Sequence, residues 1–117
     1  IPKMQAAGVS LLAGSDSGAS NSYVYQGLSL HQELAALVAA GLTPAEALRT
    51  ATINGAKFLK VENFYGSVEA GKSSDLLILN GNPLEDISNT QGINTLVLGT
   101  KILSAQDLKE MLEQLRK

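Results

Sequence analysis

The fold of this chain is decided by one short apolar stretch that ends on a carboxylate: Gly8-Val9-Ser10-Leu11-Leu12-Ala13-Gly14-Ser15-Asp16-Ser17-Gly18. The apolar run predicts a buried strand, with Asp16 at its carboxyl end. Barrel and open-sheet enzymes place a ligand or a base in this way, on a strand end that is followed by a polar loop. An Asp just past a strand is also a common turn former or helix cap, so these residues alone leave both interpretations open.

Composition limits the classes of function. The chain has 117 residues, 44% hydrophobic and 17% charged, which suits one domain of ordinary size. Its net charge is −2, so no basic patch is indicated and we expect no nucleic-acid partner. It contains no cysteine, which rules out disulfides, thiolate nucleophiles and cysteine zinc sites. No stretch approaches the roughly 20 consecutive apolar residues of a membrane span, so we expect no membrane partner.

The first residues, Ile1-Pro2-Lys3-Met4, have neither an initiator Met at position 1 nor the features of a signal peptide. We therefore expect the chain to be a piece of a longer polypeptide. A cysteine-free chain is compatible with reducing and oxidising compartments. The sequence therefore leaves the compartment open: a cytoplasmic location is slightly favoured, and a signal peptide preceding Ile1 would indicate export.

The middle of the chain predicts three helices. The first runs from about 28 to 40 and ends at Gly41. Thr43-Pro44-Ala45-Glu46 contains a capping box and a proline at the first helical position, so a second helix begins there. A break at Thr52-Ile53-Asn54-Gly55 starts a short third helix that continues through Leu59. The apolar face of the first helix is formed by Leu30, Leu34, Leu37 and Val38.

Strands are predicted in the last third of the chain. Residues 75–79 form an apolar run that a turn closes, and 95–103 predict a hairpin. Glycine at the first position of the loop Gly99-Thr100 favours a type II′ turn. Ser104 caps a final helix, with Asp107 three residues further on. The apolar stripe of that helix consists of Leu108, Met111, Leu112 and Leu115.

The stretch Gly66-Ser67-Val68-Glu69-Ala70-Gly71-Lys72-Ser73 matches the phosphate-binding pattern G-x-x-x-x-G-K-[ST]. A phosphate loop follows a buried strand and opens a helix, because the helix N-terminus binds the anion. The preceding Glu62-Asn63-Phe64-Tyr65 is no buried strand, and the following residues lead into a strand. Glu69 would also repel an anion. We therefore predict a turn between short strands, and not a nucleotide site.

His31 is the only histidine, and it lies at the start of the first predicted helix with Glu33. Proximity to Asp16 is plausible, and a His, an Asp and a Glu can together ligate a metal. On a helix, however, residues two apart point about 200° apart, so His31 and Glu33 do not easily face one metal ion. Two interpretations stay open for His31: a hydrogen-bonded packing residue, or a metal or substrate contact.

Four ordered stretches together resemble the C-terminal part of a metal-dependent amidohydrolase, in the imidazolonepropionase and prolidase-like branch. The resemblance runs from about residue 7 to residue 103. One of these motifs alone would be weak evidence for the family, but four motifs in the order and at the spacing of the family are a specific signal. The stretches are Ala13-Gly14-Ser15-Asp16-Ser17-Gly18, Leu30-His31-Gln32-Glu33-Leu34 with 38–48, Ala51-Thr52-Ile53-Asn54-Gly55-Ala56, and Gly66-Ser67-Val68-Glu69-Ala70-Gly71-Lys72-Ser73-Ser74-Asp75-Leu76.

This resemblance implies an α/β fold that is the C-terminal fragment of a (β/α)8 barrel. Residues 1–60 would contribute the last barrel strand and the last helices. Residues 61–103 would form part of a small β-sandwich, and 104–117 a C-terminal helix. The active site of such a barrel lies at the carboxyl ends of its strands.

The resemblance also implies a function for the complete protein: hydrolysis of a C–N bond in a small-molecule amide, cyclic amide or dipeptide, or a deamination. Asp16 would bind a divalent metal, for which zinc is the first candidate, and would accept a proton from the attacking water. Ser17 and His31 are candidates for the substrate pocket. The following loop either contacts the substrate or is simply solvated; its polar and aromatic residues are Ser20, Asn21, Tyr23 and Tyr25.

One histidine cannot supply the remaining ligands of such a site, and a complete barrel takes roughly 250 residues. We therefore expect the 117 residues to be inactive alone and to self-associate through apolar surfaces. The alternative function is a non-catalytic assembly or scaffold module that descends from the same family.

Overall fold

The computed structural model describes residues 1–18 and 24–115. Within these residues, four helices precede a three-stranded antiparallel sheet, and a fifth helix follows it. No helix of the described part is long and apolar enough to cross a membrane. The elements are α1 (Pro2–Ala6), α2 (Leu28–Ala39), α3 (Pro44–Thr50), α4 (Ile53–Phe58), β1 (Asp75–Leu79), a 3₁₀ helix (Ile87–Gln91), β2 (Ile93–Leu98), β3 (Lys101–Ser104) and α5 (Ala105–Gln114).

The three predicted helices of the middle are confirmed. The predicted capping box begins α3: the Thr43 hydroxyl accepts from the Glu46 N–H, and the Glu46 carboxylate accepts from the Thr43 N–H at 2.8 Å. These hydrogen bonds from Thr43 hold the pKa of Glu46 below its ordinary value. Thr52 stands at the N-cap of α4 but makes no capping bond, and its hydroxyl donates to the Leu48 carbonyl at 2.8 Å.

The buried core lies between α2, α3 and the 3₁₀ helix. Leu34 and Leu37 of α2 pack with Leu42, Ala47 and Ile87, and all five side chains are buried. Leu42 reaches this core because Gly41, at φ +104°, reverses the chain after α2. The core therefore joins the helices that follow the Asp16 segment.

The strand and hairpin predictions for the last third are confirmed. β1 pairs with β2, and β2 pairs with β3, all antiparallel, with an irregularity at Ile78/Leu79. In the loop between β2 and β3, Gly99 takes a φ of +58°, as the first position of a type II′ turn requires. Ser104 and Asp107 form the predicted cap as a reciprocal capping box on α5.

The predicted strand at the start of the chain is wrong for this structure. Residues 9–17 form no helix and belong to no sheet. A strand needs a neighbouring strand to pair with its backbone, and no other strand among the described residues lies alongside this segment. The sequence patterns also did not predict α1 or the 3₁₀ helix.

The stretch 66–73 forms a turn that leads into β1, as predicted, but no strand precedes it among the described residues. Its geometry differs from a phosphate loop, because Lys72 Nζ lies 3.0 Å from Glu69 Oε1 and also donates to the Ser67 hydroxyl. The Ser67 hydrogen bond, followed by Lys72, lowers the pKa of Glu69 from its ordinary value. Gly66 is required here, since a Cβ at this position would lie 2.7 Å from Ala56 Cβ.

Candidate active site

Asp16 lies near the end of the segment 9–17, and its side chain is exposed. Its φ is +52°, in the left-handed region that few residues other than glycine adopt. Asp is one of the residues that tolerate this conformation, and such outliers often mark functional sites. The structure therefore presents one carboxylate to solvent on an unusual backbone.

Hydrogen bonds from three helices hold the segment that precedes Asp16. The Ala13 N–H donates to the Thr50 carbonyl at the end of α3, at 3.1 Å. Asn54 Nδ2, in the first turn of α4, donates to the Leu11 carbonyl at 2.9 Å. From α2, the buried Ser29 hydroxyl donates to Ser15 Oγ at 2.8 Å. The segment is thus fixed at alternate residues, at 11, 13 and 15.

This arrangement follows from the local sequence. Thr50 is the last residue of α3, and the carbonyls of a last helical turn have no partner within the helix. Thr50 is itself buried, so its carbonyl needs a donor, and the backbone of Ala13 supplies one. Leu11 and Ala13 pack against the buried core, which brings the backbone of the segment to the ends of the helices.

The other two predicted site residues lie in different surroundings. Ser17 is half-buried and follows Asp16 directly. His31 lies on α2, where its Nδ1 is 3.0 Å from the hydroxyl of Thr90 in the 3₁₀ helix. The Thr90 hydroxyl donates its one hydrogen to the Ile87 carbonyl at 2.9 Å, so it accepts from His31, and Nδ1 carries the proton. Ser29, which contacts the Asp16 segment, precedes His31 by two positions, about 200° away around the helix.

The described residues do not form a complete metal site. No group of three or more His, Cys, Asp or Glu side chains that could hold a metal ion occurs in 1–18 and 24–115. An exposed carboxylate such as Asp16 fits one position in the ligand set of a divalent metal. Among the predicted loop residues, Tyr25 is exposed, whereas Ser20, Asn21 and Tyr23 lie outside the described residues.

An open groove of about 570 Å³ lies between α4 and the turn before β1. Its charged lining residues are Lys57, Glu62, Glu69 and Lys72, and none of the predicted site residues lines it. Lys72 is already paired with Glu69 in this groove. The groove is therefore separate from the segment that carries Asp16.

Sequence reasoning missed the residues that hold this segment, above all Ser29, Thr50 and Asn54. Asn54 is separated from Leu11 by 43 positions, and no local pattern predicts such a contact. The available signal was weak: Asn has a low helix preference, yet it occurs inside a predicted short helix. A polar residue in that position suggests a side-chain partner outside the helix.

Three helices hold the segment that presents the exposed Asp16 carboxylate, in an α/β chain whose described strands form a three-stranded antiparallel sheet. Residues 1–103 match the family described as "Amidohydrolase family". The chain belongs to the amidohydrolase family.

Individual relatives place the chain within this family. It is 32% identical to a 5-methylthioadenosine/S-adenosylhomocysteine deaminase of Moorella thermoacetica, over 91% of this chain and 29% of the relative. It is 39% identical to an imidazolonepropionase of Geobacillus kaustophilus, over 54% of this chain and 16% of the relative. Among solved structures, a Xaa-Pro dipeptidase with bound methionine in its active site is similar, with a TM-score of 0.74 and 29% identity over 88% of this chain and 24% of that one.

These matches confirm the resemblance to the imidazolonepropionase and prolidase-like branch. The chain spans 29% of the length of the deaminase and 24% of the dipeptidase chain. Its segments thus correspond to about a quarter of the proteins that it resembles.

Proposed function

We propose that the complete protein containing this chain is a metal-dependent hydrolase of C–N bonds, and that Asp16 is one of its metal ligands and its proton acceptor. The observation that carries the proposal is the anchored segment that presents Asp16, in a chain that belongs to the amidohydrolase family. Hydrolysis of an amide or dipeptide bond is supported by the likeness to the Xaa-Pro dipeptidase, and deamination by the likeness to the deaminase.

The chemistry divides between the metal and this chain. When bound, a divalent ion such as zinc supplies the Lewis acidity that lowers the pKa of water towards neutrality. An Asp16 carboxylate oxygen would accept the proton of the attacking water and pass it on to the leaving nitrogen. The remaining metal ligands, the His residues of such a site, would come from parts of the polypeptide outside these 117 residues.

The test is the substitution Asp16→Asn in the complete protein, with Asp75→Asn as the control. Both changes remove one exposed carboxylate, but Asp75 lies at the start of β1, where its partner is the Ser73 hydroxyl. Removal of a general base lowers turnover by about 10²–10⁴-fold. We expect this loss for Asp16→Asn, and less than a twofold change for the control, with unchanged circular dichroism in both.

The assay uses a Xaa-Pro dipeptide, a cyclic amide and an aminopurine nucleoside, so that it covers the three reactions that remain open. Metal content is measured in parallel. If the complete protein hydrolyses a member of this panel and Asp16→Asn retains that turnover, the role of Asp16 is refuted. If the complete protein is inactive on all three and binds no divalent metal, the hydrolase proposal is refuted and the non-catalytic scaffold module becomes the better interpretation.

A further inference from the structure

We propose that Asn54 is a positioning residue for the Asp16 carboxylate, acting through its hydrogen bond to the Leu11 carbonyl. The proposal rests on the proposed function, because it assigns the residue that orients the metal ligand. Asn54 is half-buried and lies in α4, whereas Asp16 lies on the segment 9–17. Its side chain does not need to contact the metal or the substrate for this role.

The geometry of the two bonds at this edge supports the assignment. The Leu11 carbonyl and the Ala13 N–H flank Leu12, and both bond to the junction of α3 and α4. Asn54 Nδ2 donates to the first at 2.9 Å, and the Thr50 carbonyl accepts from the second at 3.1 Å, so the two groups form one bonded edge of the segment. A donor and an acceptor from the junction of α3 and α4 thus take the place of a neighbouring strand.

This edge pairing fixes the direction in which the chain leaves towards Asp16. Without Asn54, the Leu11 carbonyl loses its donor, and at this edge only the Ala13 bond still resists a rotation of the segment. The Ser29 hydroxyl still holds Ser15, so the segment remains attached to α2. A ligand must be held within about 0.5 Å of its working position, so such a rotation matters for metal binding even when the fold persists.

The experiment compares three variants of the complete protein. Asn54→Asp removes the donor with little change in volume, and an acidic residue in the first turn of α4 is compatible with the helix dipole. Asn54→Gln keeps the amide donor and tests for rescue. Asn94→Asp is the matched control, since Asn94 also donates through its side-chain amide, to Asn80 Oδ1, but at an exposed position of β2.

Two readouts separate positioning from simple stability. Amide hydrogen exchange of Ala13, whose N–H bonds the Thr50 carbonyl beside the Asn54 contact, should become about fivefold to tenfold faster in Asn54→Asp, the ratio that loss of one average hydrogen bond gives. Affinity for Zn²⁺, measured by chelator competition, should fall about 10- to 100-fold, as for other residues that orient a metal ligand. Turnover should fall through kcat with KM nearly unchanged, and Asn54→Gln should recover at least part of the loss.

The outcomes distinguish this proposal from the one on which it rests. Suppose that Asn54→Asp and Asn94→Asp have the same amide exchange rates, Zn²⁺ affinity and turnover, while Asp16→Asn is inactive. The positioning role of Asn54 is then overturned, and the hydrolase proposal stands. If Asp16→Asn itself leaves Zn²⁺ binding and turnover unchanged, the proposed function fails first. Faster exchange at Ala13 with unchanged Zn²⁺ affinity would show that Asn54 orders the segment but does not position Asp16, and this also overturns the proposal.

Discussion

Asp16 combines an exposed carboxylate with a backbone conformation that disfavours most side chains. At φ +52°, the Cβ of an L-residue approaches its own carbonyl oxygen, which costs roughly 1–2 kcal/mol relative to the right-handed conformation. Asp bears less of this cost because its short polar side chain can bond locally. Glycine would be the most stable residue at this position, so the presence of a carboxylate supports a functional reason.

We therefore expect Asp16→Gly to raise the free energy of unfolding by up to about 1 kcal/mol, and Asp16→Val to lower it by about 1–2 kcal/mol. Urea unfolding of the two variants beside the unaltered chain measures the difference. Equal stability of the glycine and valine variants would contradict a left-handed backbone at this position. The glycine variant should also lose metal affinity in the complete protein, so its gain in stability would accompany a loss of function.

Single residues were predictable from the sequence only where their signal is local. Asp16 was found because it follows an apolar run and is flanked by small residues, and both features lie within eleven positions. The hydrogen bond that joins Asn54 to Leu11 could not be predicted, because it depends on how α4 packs against a distant segment. The bond between His31 and Thr90 spans 59 positions and was missed for the same reason.

At the scale of elements, two helix ends show the same geometry built from different residues. After α2, the Leu42 N–H donates to the Leu37 carbonyl, and the Gly41 N–H donates to the Val38 carbonyl. After α4, the Val61 N–H donates to the Ala56 carbonyl, and the Lys60 N–H donates to the Lys57 carbonyl. Both ends are Schellman motifs, and the left-handed position is Gly41 in the first and Lys60, at φ +59°, in the second.

This pair leads to opposite expectations for two substitutions. Gly41→Ala should destabilise the chain by about 1–2 kcal/mol because the left-handed position then carries a Cβ. That Cβ would also lie 2.9 Å from Pro2 Cγ. Lys60→Gly should stabilise the chain by about 0.5–1 kcal/mol, since it removes the same strain from an exposed position.

Urea denaturation followed by far-UV circular dichroism gives both values. Lys57→Gly, in the last turn of α4, serves as the control, because glycine inside a helix destabilises by roughly 0.5–1 kcal/mol. A destabilising Lys60→Gly would show that the helix does not end at this residue.

Helices and strands could be predicted from the sequence where the residues that determine them are close together in the chain. The two capping boxes, at Thr43 and Ser104, lie within four residues each and were predicted with their partners. The apolar run before Asp16 has the sequence of a strand, but a strand also requires a neighbouring strand to pair with. Here the backbone of the run is hydrogen-bonded instead by the Thr50 carbonyl at the end of α3 and by the Asn54 side-chain amide. The strand prediction was therefore wrong, because the pattern carries no information about which groups bond the backbone.

At the scale of the molecule, the buried core and the sheet are separate. All members of the core cluster lie in the helical half or in the 3₁₀ helix, and no strand residue belongs to it. The sheet instead has large apolar side chains on both faces. The register places Leu77 and Leu98 on one face, at 51% and 47% exposure, and Ile78 and Ile102 on the other, at 51% and 72%.

A sheet with two apolar faces is typical of one that is covered on both sides in the complete protein. The isolated chain should therefore self-associate at about micromolar concentrations, where exposed apolar surface and open strand edges drive association. Sedimentation velocity over a concentration series measures this. Ile102→Lys and Ile78→Lys place a charge on one face of the sheet and should shift the distribution towards monomer, whereas Thr100→Lys, in the turn between β2 and β3, should not. A chain that stays monomeric throughout the series, or one whose association is unaffected by both isoleucine substitutions, would show that this face of the sheet does not drive assembly.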